Sequence, residues 1–430
     1  MGYAEDCAAL WERSAEQRSK DTAGTVALLE AAAAAGAAQG APRAELVGSL
    51  AVAGSYAEPA FEWVGPAVQR SAEQWIAAIA AQLGMDGGCQ PTLDATVFQG
   101  LCAARVRPYF APPQQEQRPQ FVLAGESGRG RSLAPRRWRE WPQSTAAFVW
   151  AFGRLADGEI KDAIPSILPV VLALVDDYDD QAKLRGLRLA RALAERGDRE
   201  FLRKSGVAGV VDSSVSRCLA YRADANELAA PLLEAAFQAA FATGDALYPS
   251  RGDPRYTEHW WRLADQLATN DVYIADNVAA ATVLGAQVAP LADRLGPAIA
   301  RHLRPLVGVV THPLRSPASL AAPVCRLHAV MVRQMPALAA ACPARVRAYV
   351  GDLVAALAVS WNSVAGKRAE PLCADAAALR PLILDALRCL RALHPDAVRA
   401  AVDRLSAARP TVFAEWSAAD AAAGQGDGTH

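Results

Sequence analysis

The chain has 430 residues, 52% hydrophobic and 21% charged, with a formal net charge of −1. That composition suffices for a large core and excludes a chain disordered throughout. The balance of 44 basic against 45 acidic residues gives no global field for gathering nucleic acid or anionic lipid, and leaves only local patches.

Apolar residues recur at helical spacing along the chain, and strand alternation does not. Helices are expected near 4–19, 22–38, 43–54, 67–83 and 93–107. Residues 111–137 hold Pro, Gln, Gly and Arg with no period. With the approach to the next helix, 111–142 reads as a mobile loop. The clearest stripe follows: Ile160, Ile164, Ile167, Leu168, Val171, Leu172 and Val175, one face of a 3.6-residue helix. Pro165 lies in its first turns, whereas Pro169 is interior and should bend it. After the acidic turn Asp176-Asp177-Tyr178-Asp179-Asp180 comes a second amphipathic run, closed by Gly197-Asp198. Further helices are expected near 206–222, 226–243, 257–268, 271–289, 295–310, 317–335, 343–362, 372–394 and 396–408, with Pro-, Gly- and Asp-bearing breaks between them.

Helix pairs of roughly 35–45 residues, repeated without strands, describe an all-α, HEAT-like helical-repeat solenoid. The expected divisions are N-terminal helical repeats over 1–110, the loop, a HEAT-like repeat array over 143–420, and a disordered tail over 421–430.

Two skews lower the information in single residues. Ala numbers 96, and Arg outnumbers Lys by 39 to five. Ala is the best helix former, so the first skew favours helix without marking a site. The second means that an Arg says less than usual about phosphate. Eight cysteines are scattered with no CxxC pair, which fits neither a disulfide framework nor a zinc ribbon and points to a reducing compartment. The N-terminus lacks the basic and apolar regions of a signal peptide, and Ala31–Ala38 is too short to span a membrane.

The most enzyme-like string is Asp176–Asp180, which matches DDxxD, the Mg²⁺-binding signature of helical isoprenoid diphosphate enzymes. Carboxylates at i and i+3 or i+4 on one helix face hold Mg²⁺ against a diphosphate. No second such string exists. The nearest partner, Asn270-Asp271-Val272-Tyr273-Ile274, has Ile and Val where a hydroxyl and a carboxylate are needed. A turn whose Asp residues cap the next helix is the favoured reading. Cys325 and His328 stand at CxxH spacing without a second pair, so a packed thiol and a partnered imidazole are expected rather than zinc. The motifs GxSxG, HExxH, GxxxxGK[ST] and GxGxxG are missing. No catalytic residue, metal or cofactor is therefore expected.

The aromatic residues allow two readings, core or partner anchor. Trp138 and Trp141 adjoin Arg129, Arg131, Arg136, Arg137 and Arg139, a basic cluster best read as a solvated loop entering a helix. Trp260 and Trp261 diverge by about 100° on a helix, so both cannot face one narrow stripe. Trp138, Trp141, Trp260, Trp261 and Trp361 are the candidate partner-binding residues.

The stretch from Trp138 to Leu233 contains Trp150, Ile167-Leu168-Pro169, Leu172, Asp176-Asp177, Lys183, Gly186-Leu187, Leu202-Arg203, Gly206, Cys218-Leu219 and Leu232-Leu233. In these elements it resembles the TELO-two-interacting protein two family, a subunit of the TTT co-chaperone complex. The resemblance implies a non-catalytic scaffold. Its partners would be TTI-one-like and TEL-two-like subunits, and through them HSP90 and the phosphatidylinositol-3-kinase-like kinases, in cytoplasm and nucleus. Direct contact with membrane or nucleic acid is not expected. Asp176, Asp177, Lys183 and Gly186 would then be structural at a repeat turn, with Lys183 reaching back to the carboxylates and Gly186 allowing close helix approach. The alternatives are an unrelated HEAT adaptor for transport or phosphatase assembly and, more remotely, the isoprenoid enzyme.

Overall fold

A computed structural model describes residues 3–13, 15–39, 41–110, 137–220, 227–274, 277–315, 321–365 and 374–416. Most of the expected loop, the tail at 421–430, and Arg129, Arg131 and Arg136 lie outside the described residues. Within 137–142, Arg137–Glu140 is a helical turn and Pro142 opens the helix Pro142–Arg154. Pro is well placed there, because the first turn needs no N–H from it.

Among the described residues the chain is helical without a strand, with one isolated parallel bridge between Leu93 and Leu155. It divides into two compact units. One comprises 1–178 with 192–207, and the other 179–191 with 208–430.

The first unit is built around the helix Arg43–Ala57. Every residue from Leu46 to Ala57 is buried. No amphipathic stripe is needed, because Pro66–Leu83, Ala95–Arg105 and Pro142–Arg154 pack around it. Small residues (Gly48, Ser49, Ala51, Ala53, Gly54 and Ser55) let these neighbours come close. Local signals set the ends of the surrounding helices. Asp94 caps Ala95–Arg105 by accepting from the Val97 N–H at 2.7 Å, and Asp198 caps Arg199–Lys204. Gly84, at φ +69°, closes Pro66–Leu83 in the left-handed conformation. The helix Ile160–Val175 keeps both Pro165 and Pro169 inside it. Its buried face is Ile160, Ala163, Ile164, Ile167, Val170, Val171, Leu174 and Val175, while Leu168 and Leu172 lie at its margin.

The second unit shows the repeat most clearly. The helices Ala229–Leu247, Val278–Ala286, Ala322–Ala341 and Ala374–Leu393 form one row, each packed on the next. Pro254–Ile274, Leu303–Arg315, Val350–Ala365 and Pro395–Ala408 form the other, again each on the next. Successive members of a row start 44–52 residues apart, close to the roughly 40–47 of HEAT repeats. Each helix is thus covered by the neighbours before and after it and by the opposite row. The chain is a HEAT-like helical-repeat solenoid.

Candidate functional site

The acidic string is a turn, not a helix face. Ile160–Val175 ends there, with the Asp176 N–H bonded to the Leu172 carbonyl and the Asp177 N–H to that of Leu174. Asp179 Oδ1 accepts from the Ala182 N–H at 2.7 Å, at the start of the helix Asp180–Arg196. The Asp177 carboxylate is fully enclosed and pairs with Arg139 Nη2 at 2.5 Å. The Arg139 guanidinium also lies 3.6 Å from the ring centre of the exposed Tyr178. The DDxxD geometry, which requires carboxylates along one helix, is therefore not formed, because Asp176 ends one helix and Asp180 begins the next. The described residues contain no group of three or more His, Cys, Asp or Glu that could hold a metal ion.

The cation at Asp177 is Arg139, rather than the expected Lys183, whose side chain is half-buried. Sequence reasoning placed Arg139 in a solvated basic cluster. Its pairing with a carboxylate 38 positions away leaves no local signal. Gly186 is buried within Asp180–Arg196.

The five tryptophans separate by burial. Trp138 is stacked on Phe110 with centroids 5.5 Å apart, Trp260 is enclosed by Phe241, Tyr256 and His259, and Trp361 packs edge-on against Trp416. All three are buried. The chain's own aromatic side chains cover these three rings. Trp141 and Trp261 are half-buried. Trp141 faces Tyr109 at 5.4 Å, and Trp261 donates to the Ala298 carbonyl at 2.9 Å under the Arg301 guanidinium. The divergence of Trp260 and Trp261 follows the helical turn, one inward and one at the margin.

Cys325 and His328 are both buried, and His328 Nδ1 meets Ser360 Oγ at 3.0 Å. Burial pushes this imidazole below its ordinary range, and the Pro313 backbone opposes the shift. A second buried group joins three helices of the second unit. His259 Nδ1 accepts from Arg262 and lies 4.0 Å from Asp212, which in turn accepts from Thr243 Oγ1 at 3.2 Å. Burial lowers the His259 pKa, and Asp212 opposes the shift. Residues so far apart in sequence gave no motif.

Arg18 is likewise invisible in the sequence. Its side chain is buried without a facing carboxylate salt bridge among the described residues. Instead it donates to the carbonyls of Leu10, Trp11 and Arg13 and to Ser55 Oγ, with Tyr56 and Trp63 against its guanidinium. Burial pulls its pKa down to about 10. These bonds close the C-terminal end of Tyr3–Glu12, so its role is structural.

The crystal structure of Kap121p is similar with a TM-score of 0.52 at 12% identity, covering 91% of this chain and 33% of that one. The chain thus spans about a third of Kap121p, and likeness at that identity concerns fold alone. The crystal structure of an engineered protein aligns over 96% of both chains at 14% identity, with a TM-score of 0.32. No curated protein matches the chain. A family model does match, over residues 50–321, which is more than half of the chain and runs through both units. The chain belongs to the Tti2 family.

Proposed function

We propose that this chain is a non-catalytic scaffold subunit of the TTT co-chaperone complex, supporting HSP90-dependent maturation of phosphatidylinositol-3-kinase-like kinases. The observation that carries the reading is the family match over residues 50–321. The architecture is compatible with it, because stacked helix pairs give long surfaces suited to another repeat protein. The most enzyme-like string also has its carboxylates engaged in the fold: Asp177 with Arg139, and Asp179 with a helix N–H.

In this reading the partners are a TTI-one-like and a TEL-two-like subunit. The kinases and HSP90 are reached through them, in cytoplasm and nucleus. No described helix is long and apolar enough to cross a membrane. In the same reading Asp176, Asp177, Lys183 and Gly186 serve the repeat turn, and the partner-binding candidates are Trp138, Trp141, Trp260, Trp261 and Trp361, of which Trp141 and Trp261 are the less buried. Affinity purification of the full chain from its native cell tests the proposal. Recovery of the two sister subunits with the kinases is the expected result. Recovery without either class overturns it.

A further inference from the structure

A groove of about 540 Å³ runs in the first unit between the helices Ala95–Arg105 and Ile160–Val175. That volume is within the range of pockets that take ligands or anchoring side chains, about 300–1,000 Å³. Its walls are largely apolar: Val106, Phe110, Pro165, Pro169 and Val170. Pro165 and Pro169 are exposed, although prolines four residues apart inside a helix need a reason. Neither ring can give an N–H to the carbonyl one turn earlier. The carbonyls of Lys161 and Pro165 therefore lack those helical donors.

Arg107 lines the groove and is exposed. Arg137 is exposed against the ring of Tyr109, the neighbour of Phe110. No ion pair of either is found among the described residues. An apolar trough whose lining carries the exposed, unneutralised guanidinium of Arg107 fits one kind of guest.

We infer that this groove docks a segment of a partner protein that carries apolar anchor side chains flanked by Asp or Glu. The inference rests on the scaffold reading and deepens it by naming a surface and the chemistry of its occupant. The apolar anchors fill the trough, and a flanking carboxylate meets Arg107.

The test uses the full chain and a displayed library of short random peptides, counter-selected on Ala103→Trp. Ala103 lines the groove and is exposed, so the indole fills the trough without disturbing the core. An unchanged melting temperature confirms that the variant is folded. If that variant does not fold, Arg107→Glu replaces it. Expected is enrichment of acidic peptides with apolar anchors, whose affinity falls about tenfold in Ala103→Trp and in Arg107→Glu. Enrichment of basic peptides, or equal binding to the wild type and both variants, overturns the inference. Deleting residues 111–136, which follow Phe110 directly, tests the chain's own segment as occupant. A tenfold gain in peptide affinity would give the groove to that segment and overturn a partner there. The larger sister subunit is then added as competitor. Displacement of the peptide supports both readings. Peptide binding without displacement keeps the groove and removes this subunit as its occupant. The purification described above judges the scaffold role separately.

Discussion

Gly54 lies directly beneath the indole of Trp150, and a methyl group at position 54 would overlap the six-membered ring. Both residues are buried, Gly54 in the central helix of the first unit and Trp150 in Pro142–Arg154. Trp150 was legible as a family-like residue, whereas its need for a glycine on another helix was not.

Gly54→Ala weighs two effects of opposite sign. Alanine favours the helix over glycine by about 1 kcal/mol. Against this, a rigid ring cannot swing aside as a flexible side chain would, and overpacking costs about 1–3 kcal/mol. The expected outcome is net destabilisation. A denaturant midpoint below that of the wild type checks it, and a gain in stability would mean that the indole relocates freely.

Arg139→Ala takes a cation from an enclosed carboxylate. The expected loss is about 1–3 kcal/mol, at the lower side for a buried pair because Arg139 keeps a quarter of its side chain exposed. The double variant with Asp177→Ala should lose less than the sum of the two single variants, since the stranded charge is gone. Thermal melts of all four proteins measure this coupling.

Lys183→Ala and Gly186→Leu separate charge from space at the same turn. Lys183 is half-buried and Arg139 already meets Asp177, so its loss should cost about 0–1 kcal/mol. Gly186 is buried, and a leucine there should cost about 1–3 kcal/mol. An unchanged melting temperature for Gly186→Leu would refute close packing at that glycine.

The buried histidines make stability depend on pH in a stated direction. Burial lowers the pKa of His259 and His328 in the folded chain below the unfolded value of about 6.5. Below pH 6.5 the unfolded chain therefore binds more protons. Stability is retained above that value, falls as the pH drops through it, and continues to fall until the lowered folded values are passed. Melting curves from pH 7.5 to 5.5 should show the decline. His328→Gln, which keeps a polar group near Ser360 but does not titrate, should have a shallower slope.

Helical class and most element positions could be read from periodicity, since the requirement to bury one face repeats along each helix. The stripe from Ile160 to Val175 is buried largely as its spacing foretold. Local punctuation also held information: Gly84 stops one helix, and Asp179 contributes the cap bond that the turn reading anticipated. Leu46–Ala57 has no stripe, because neighbours surround it and sequence periodicity reports only a helix with one wet side.

The tertiary structure decided which charges and rings meet. Asp177 with Arg139, Arg18 with three carbonyls, and His259 with Asp212 are each joined across turns or helices, by packing that no spacing rule encodes. The same packing drew Trp138, Trp260 and Trp361 inward and left Pro165, Pro169 and Arg107 at an open trough. The sequence by itself determined that the chain coils into stacked helices, because periodic burial is a local property. Only the tertiary structure could decide which side chains are consumed by the core and which stay available, because that depends on neighbours distant in the chain.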